Sequence, residues 1–535
     1  MTRYSVLVLP ALLLGGLWLR LHGIDFGLPY LYDADEPLFV TVAGRMLQDR
    51  DLNPHWFGVP ASTTIYMLAG LYAAIYGVGR GLGIFTSPRD VKALYFQDPT
   101  IFYLSGRIMI AIFSLAAVLL TYKIACRLFD RPTGLLAAAF LALSPVYILY
   151  SKLIRPDMQV SLLVLFVLWF CLNILRRGNW LNYSLAGFLM GLGTVSKYPA
   201  DMIAPTIAIA HVLRSSRQYL DLSKLLVAGG AGILGAFIAS PFLFLDFDQT
   251  LSDVSYEARS THLSATGEGL LPNVGWYVSG PLVDALSTVG LVLAGVGFIQ
   301  CIASKQRERW LLLTFPVIFT LFIASLHLRW ARWTIPAIPF LCILSAHGLL
   351  WMASQVGVRR DRRIGIGVGV ILLLLVAGPL LREAVVQNHE LSGTDTRTIA
   401  RQWMMRHIPA GSTILMEAYT PQFPKELHMF LSVRDDGSLV KVDTKHLDNA
   451  VYRPKGRIGR LENIAALYEQ GTGYMVLSNY YDRYLDENSK SDEYNDIRRT
   501  YEELIHMGTE IYEVSAIPGE NTGPTIRVYR MPTAR

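Results

Sequence analysis

Up to about residue 385 the chain is a succession of long apolar runs separated by short, mostly basic punctuation. An α-helix needs about 20 mainly apolar residues to cross hydrocarbon. Runs of this kind lie at about 5–21, 104–125, 133–150, 158–175, 181–195, 200–213, 224–241, 282–303, 310–326, 333–353 and 364–381. One more stretch, "STTIYMLAGLYAAIYGVGRGLGIF" at about 62–85, is apolar enough to be ambiguous. A chain so patterned is expected to be a polytopic α-helical membrane protein over residues 1–385. The remainder, 386–535, reads as a soluble domain with stretches such as "DDGSLVKVDTKHLDN" and "DRYLDENSKSDEYNDIRR".

The basic loops decide the sidedness, because Lys and Arg are retained on the cytoplasmic side. If 62–85 lies along the interface, one side receives Arg3, Arg127/Arg131, Arg176/Arg177, Arg214/Arg217/Lys224, Lys305/Arg307/Arg309 and Arg359/Arg360/Arg362/Arg363. If 62–85 crosses, all but Arg3 change sides. Its tyrosines, Tyr66, Tyr72 and Tyr76, suit an interfacial position. The expectation is therefore about eleven spans, the N-terminus in the cytoplasm, interfacial helices on the outer face and the C-terminal domain outside, in a bacterial inner or plasma membrane.

Composition narrows the function classes. The chain is 52% hydrophobic and only 17% charged, against about a quarter charged in soluble proteins. Its net charge of +6 is spread over short loops and does not point to nucleic acid; the partners expected are membrane lipids. Cys126, Cys171, Cys301 and Cys342 lie in or beside apolar runs with no metal-ligand spacing. The first run, "YSVLVLPALLLGGLWL", is followed by no small-x-small cleavage site and reads as an uncleaved span.

The outer face then collects carboxylates, cations and aromatics: "YDADEP" (32–37), "SKLIRPDM" (151–158), "SKYPAD" (196–201), "FLDFDQ" (244–249) and "HLRWARW" (327–333). Insertion explains the basic inner loops but not this second set. In "DADEP" one reading is a capping box, Asp33 with Glu36, and Pro37 in the first turn of a helix whose apolar stripe is Leu38, Val42 and Met46. The other reading is a base held at the membrane surface, and one acid can cap while another faces substrate. Arg155 with Asp157 reads as a local ion pair or a site. Lys197 reads as a snorkelling lysine or a phosphate ligand. Arg329 and Arg332, flanked by Trp330 and Trp333, read as an interfacial anchor or as guanidinium forks for a lipid phosphate. His55 and His262 have no partners at metal-ligand spacing.

These residues, with "PTIFYLSGRIMIAIFSLAAVLLTYKIACRLFDRPTGLLAAAFLALSPVYILYSKLIRPDM", "GLGTVSKYPA" and "RWTIPAIPFLCIL", resemble the GT-C superfamily of glycosyltransferases. Within it the likeness is to the protein O-mannosyltransferase-like branch that includes the lipid A aminoarabinose transferases. The resemblance runs from about residue 5 to 381. It implies transfer of a sugar from a polyprenyl-monophosphate donor to a hydroxyl of a glycan, lipid or protein acceptor, with inversion, on the extracytoplasmic face. Carried over, Asp35 matches the general base, Glu36 its neighbour and Asp157 the second acidic position. Arg155, Lys197, Arg329 and Arg332 become the candidate ligands of the donor phosphate. A divalent cation shared by Asp35 and Asp157 stays open. The chain departs from the family at "VPASTTIYML", where a basic residue before paired prolines is missing.

In the tail, 396–407 and "EYNDIRRTYEELIHMG" read as helices, and "TILMEA", "GYMVLSN" and "TIRVYRM" as strands, which predicts a small α/β sandwich. It has no Gly-rich phosphate loop or nucleophile motif and is expected to cover the outer mouth and help select the acceptor, or only to stabilise it. The rival from another class is a transporter or lipid flippase. Such proteins place ionisable residues and broken helices near the midplane, often in repeated halves; here the acids lie at span ends and no repeat is seen.

Overall fold

The computed structural model describes residues 4–214, 221–259, 262, 265–446, 451–485 and 494–532. Arg3, Arg217 and the stretch 486–493 of the tail lie outside the described residues. The chain divides into two compact units. The first comprises Met1–Ile24, Asp33–Ile84 and Phe102–Gln387; the second comprises Asp25–Tyr32, Phe85–Ile101 and Asn388–Arg535.

The helices in chain order begin with α1 (Tyr4–Leu21), α2 (Glu36–Asp49), α3 (Ser62–Gly81), α4 (Pro88–Gln97) and α5 (Thr100–Leu128). They continue with α6 (Arg131–Leu143), α7 (Pro145–Tyr150), α8 (Asp157–Arg177), α9 (Trp180–Ser196), α10 (Ala204–Arg214) and α11 (Ser223–Ala239). After the short α12 (Phe242–Leu245) and α13 (Phe247–Glu257) come α14 (Leu270–Ser279), α15 (Pro281–Leu286) and α16 (Thr288–Ala303). The first unit closes with α17 (Arg307–Ser325), α18 (Ile338–Arg359) and α19 (Arg362–Ser392), the last of which runs on into the second unit.

Each of the eleven apolar runs is helical over most of its length. Among the described residues, five helices are long and apolar enough to cross a membrane, or six if the pair α14–α15 and α16, bent by 106°, counts as one span. Part of the shortfall from eleven is length, since α9 and α11 have 17 residues each. Several runs are broken into pieces, as at Ser144, which stands in extended conformation before Pro145, because proline disfavours a helical residue before it. The ambiguous run 62–85 forms α3, which has the length, 20 residues, but is not among the five. Arg107, near the start of α5, donates to the carbonyl of Ile24, just past α1, at 2.7 Å. The end of α1 and the start of α5 thus share one end of the unit.

Close packing inside this unit is carried by small residues. A Cβ on Gly187 would lie 1.9 Å from the Ala228 carbonyl, and one on Gly191 would lie 1.9 Å from that of Gly232. Without side chains there, the backbones of α9 and α11 touch, the arrangement that substitutes for the hydrophobic effect between helices in lipid. The outward residues are apolar instead: Leu226, Ile233 and Ile238 on α11, and Ile366 and Leu374 on α19, are all exposed. A surface of that kind suits hydrocarbon, not water.

The second unit contains α20 (Thr396–His407) and a six-stranded sheet. Its strands are β1 (Thr413–Met416), β3 (Met429–Val433), β4 (Leu439–Lys441), β6 (Tyr474–Ser478), β7 (Thr509–Val514) and β8 (Ile526–Arg530); β2 (Phe423–Pro424) and β5 (Val451–Tyr452) form a separate pair. The order is β4-β3-β1-β6-β8-β7. Central β1 runs parallel to β3 and β6 with Ile414 opposite Phe430 and Tyr474. All four residues of β1 are buried, as a central parallel strand requires. Asp395 caps α20 by accepting from the Arg397 N–H at 2.9 Å.

Candidate active site at one end of the helical unit

Asp33 shapes the acid turn. Its Oδ1 accepts the N–H groups of Asp35 and Glu36, each at 3.0 Å. Only half of the expected capping box forms, because the Glu36 side chain does not return to Asp33. It turns inward and is fully buried against Arg107: Nε donates to Oε1 at 2.8 Å and Nη2 to Oε2 at 2.6 Å. The Ile154 N–H adds a third bond to Oε1 at 2.9 Å. Burial pushes the Glu36 carboxyl up, while the Arg107 charge and these bonds pull against it. The stripe of α2 is also rotated from expectation: Phe39, Val42, Ala43 and Met46 are buried and Leu38 is exposed. The rotation goes with the inward turn of Glu36 at the first position.

Asp35 points the other way and is 43% exposed at its side chain, against 15% for Asp33. Both face Arg155, which contacts Asp35 through Nη1 and Asp33 through Nη2 at 3.1 Å. Burial works against the Arg155 charge, but the carboxylates of Asp33, Asp35 and Asp157 outweigh it and raise its pKa. Two residues on, Asp157 opens α8 and is nearly buried, and Lys197, just past the end of α9, donates to it at 2.5 Å. Burial lowers the Lys197 pKa, Asp157 opposes the shift, and the charges of Arg332 and Arg155 add to it.

The four candidate cations thus differ. Arg155 and Lys197 are committed to carboxylates. Arg329 stands outside the acid cluster, donating to Glu268 at 3.1 Å and lying 5.2 Å over Trp276. Arg332 lies 4.5 Å over the Trp330 ring and is close enough to act on Lys197. Below Lys197 a narrow apolar crevice is lined by Val160, Phe319, Ile323 and Trp333. The first turn of α3 is tied into the same end, Thr63 to Ser196 at 2.6 Å and Thr64 to Gln159 at 2.7 Å.

Sequence reasoning missed Arg107, although a signal was present: a lone arginine inside an apolar run is a functional hypothesis by default. Lys152, within "SKLIRPDM", was also not singled out; it donates to the His22 carbonyl at 2.5 Å. Among the described residues no group of three or more His, Cys, Asp or Glu is arranged to hold a metal ion. Asp35 faces Arg155 and Asp157 faces Lys197.

The fold is similar to those of solved ArnT and oligosaccharyltransferase structures. The family model for dolichyl-phosphate-mannose-protein mannosyltransferases matches residues 103–244, the stretch that carries Arg107, Arg155, Asp157 and Lys197. Two solved proteins give the likeness its extent. ArnT from Cupriavidus metallidurans, bound to undecaprenyl phosphate, superposes with a TM-score of 0.54 at 12% identity, covering 99% of this chain and 98% of that one. The oligosaccharyltransferase of Archaeoglobus fulgidus, tethered with an acceptor peptide, gives 0.54 at 13% identity over 98% of this chain and 74% of its own. The same protein, AglB, in complex with an inhibitory peptide and a dolichol-phosphate, gives 0.52 at 13% identity over 90% and 71%. No curated protein matches the chain by sequence.

Proposed function

We propose that this chain is a glycosyltransferase that moves a sugar from a polyprenyl-monophosphate donor to an acceptor hydroxyl, with inversion and with Asp35 as general base. The observation that carries the reading is the contrast within one turn: Glu36 is sealed against Arg107, while Asp35 is the exposed carboxylate, held by Asp33 and Arg155. The polyprenyl phosphates bound by ArnT and AglB support the donor class. In this reading about eleven spans cross, the N-terminus is cytoplasmic, and residues 386–535 form an extracytoplasmic domain.

The acceptor oxygen attacks the anomeric carbon as its proton passes to Asp35, and the bond from that carbon to the phosphate oxygen breaks. Such proton transfer to a positioned carboxylate is worth about 10²–10⁴ in rate. The leaving polyprenyl phosphate gains charge, which a pre-placed cation stabilises. Arg332 is assigned that role with Lys197, because Arg332 has a ring contact and, among the described residues, no carboxylate within ion-pair distance. Arg155 aligns Asp35, Glu36 positions the turn, and Asp157 holds Lys197. A divalent ion would require Arg155 and Lys197 to release their carboxylates, and no step is routed through one.

The test is release of polyprenyl phosphate from polyprenyl-phosphate sugars by the reconstituted full chain, wild type against Asp35→Asn, with both proteins checked for folding. Turnover in the wild type and its loss in the variant support the assignment. Equal turnover moves the base to Asp157, and no turnover with any donor returns the transporter or flippase reading. The same assay after chelator treatment decides whether a divalent ion takes part: unchanged turnover is expected.

A further inference from the structure

We propose that the C-terminal unit carries a saccharide-binding site, a platform of two tyrosines at the carboxyl ends of β1 and β6. The site lies wholly within that unit and stands independently of the transferase reading. β1 and β6 are neighbours in the sheet and run parallel. After β1 the chain re-enters the six-stranded sheet as β3, on the side of β1 away from β6. After β6 it re-enters as β7, beyond β8 on the opposite side. Connections that leave two adjacent strand ends in opposite directions open a crevice between them, and open α/β sheets bind their ligands there.

The two strand ends are cross-linked before they part. Glu417, which follows β1, accepts the N–H of Ser478, the last residue of β6, at 3.2 Å. The Ala418 carbonyl accepts the Ser478 hydroxyl at 3.1 Å, and the Ala418 N–H donates to the Gly456 carbonyl at 2.9 Å. Tyr501, from the helix Asn495–Met507, donates to the Glu417 carboxyl from below. Ser478 Oγ in turn accepts the Tyr480 N–H at 3.3 Å. On this base Tyr419 and Tyr480 stack, with ring centroids 5.2 Å apart and 25° between their planes. Arg483 lies 4.8 Å over the Tyr480 ring, and Asn479, between the two strand ends and Tyr480, is exposed.

Packing alone would not need this. A core tyrosine hides its ring, whereas Tyr419 is 41% exposed. Its φ of 64 lies in the left-handed region, which a glycine would occupy without strain. Side chains held there against preference cluster at ligand-binding sites. The chemistry of the platform selects the ligand. A pyranose ring has a face of C–H bonds edged by hydroxyls. The C–H face suits the electron-rich face of a tyrosine, and the hydroxyls suit the Asn479 amide and the Arg483 guanidinium. A wholly apolar ligand would leave that polar edge unused, and a bare anion would leave the rings unused.

The test is saturation-transfer NMR on the full chain in lipid nanodiscs, with cellotriose and chitotriose as the probes and no polyprenyl-phosphate sugar present. Saturable transfer to the ring C–H protons of at least one probe is expected in the wild type. Tyr419→Ala should weaken that binding by about tenfold, the scale of one stacked ring lost. Tyr419→Phe, which keeps the stacking face, should retain most of it. Tyr419→Gly removes the ring and the left-handed strain together, so it should melt no lower than the wild type and still lose the probe. It also carries the test if Tyr419→Ala does not fold. No saturable transfer to either probe in the wild type overturns the proposal. Transfer unchanged in Tyr419→Gly overturns it too, because the sugar then occupies another part of the chain.

Discussion

Glu36, at the charged end of the helical unit, and Glu417, in the C-terminal unit, are both fully buried and are handled in opposite ways. Glu36 meets a guanidinium in a two-point pair and a backbone N–H. Glu417 meets no cation among its described partners: the Tyr501 hydroxyl donates to it, as do the N–H of Ser478 at 3.2 Å and its hydroxyl at 3.4 Å. Burial pushes Glu417 up to about 8. The helical unit keeps its buried acid as half of an ion pair, which breaks badly if one partner is lost. The sheet keeps its acid as a neutral hydrogen-bonding group, which makes it sensitive to pH instead. A buried carboxyl is thus a joint in one region and a titrating group in the other.

The comparison is broken most directly at the acid turn. Asp35→Asn should cost about 10²–10⁴ in turnover with little change in melting temperature. If its neighbour is only a joint, the effect of Glu36 substitution must appear first in stability. Arg107→Ala leaves Glu36 buried and unpaired, a loss of about 3–5 kcal/mol, measurable as a lowered melting temperature in detergent. The double variant Glu36→Leu/Arg107→Met should melt higher than Arg107→Ala, because no lone charge remains.

A smaller effect is expected at Arg332. Losing one charge-assisted contact to a phosphate removes about 1.5–3 kcal/mol, so Arg332→Ala should raise donor KM by about 10- to 100-fold and leave the melting temperature unchanged. Arg329→Ala, which loses Glu268 instead, should leave donor KM near wild type, and a rise equal to that of Arg332→Ala would put both in the phosphate site.

The smallest and most specific effect lies in the other region. Between about 4.5 and about 8 Glu417 is protonated in the folded chain and ionised in the unfolded one. The folded state then binds the extra proton, so stability falls as pH rises through this window. The melting transition of the C-terminal unit in the full chain should drop from pH 5 to pH 8.5. Glu417→Gln, which stays neutral, should flatten that slope; an unaltered slope would show that another group sets it.

Much of this architecture is legible in the sequence. The eleven apolar runs, the amphipathic start at "DADEP" and the helix and strands of the tail come from periodicity, which depends on each residue's neighbours along the chain. In the tail, β3, β4 and β7 escape such a reading; β4 has only three residues and β7 has no buried one. The pairing of charges is not legible. Nothing local says that Asp33 rather than Glu36 faces Arg155, that Arg107 lies 71 residues from its partner Glu36, or that Lys197 turns to Asp157 across 40 residues.

By itself the sequence determined where the chain is apolar, where it is charged and which acids are close enough to share a turn, because hydrophobic burial and helix capping act over a few residues. Only the tertiary structure decided which acid is sealed and which is presented. That choice depends on which distant cation the packed helices bring within about 3 Å, and a charge in a low-dielectric interior is settled by its partner, not by its neighbours in sequence.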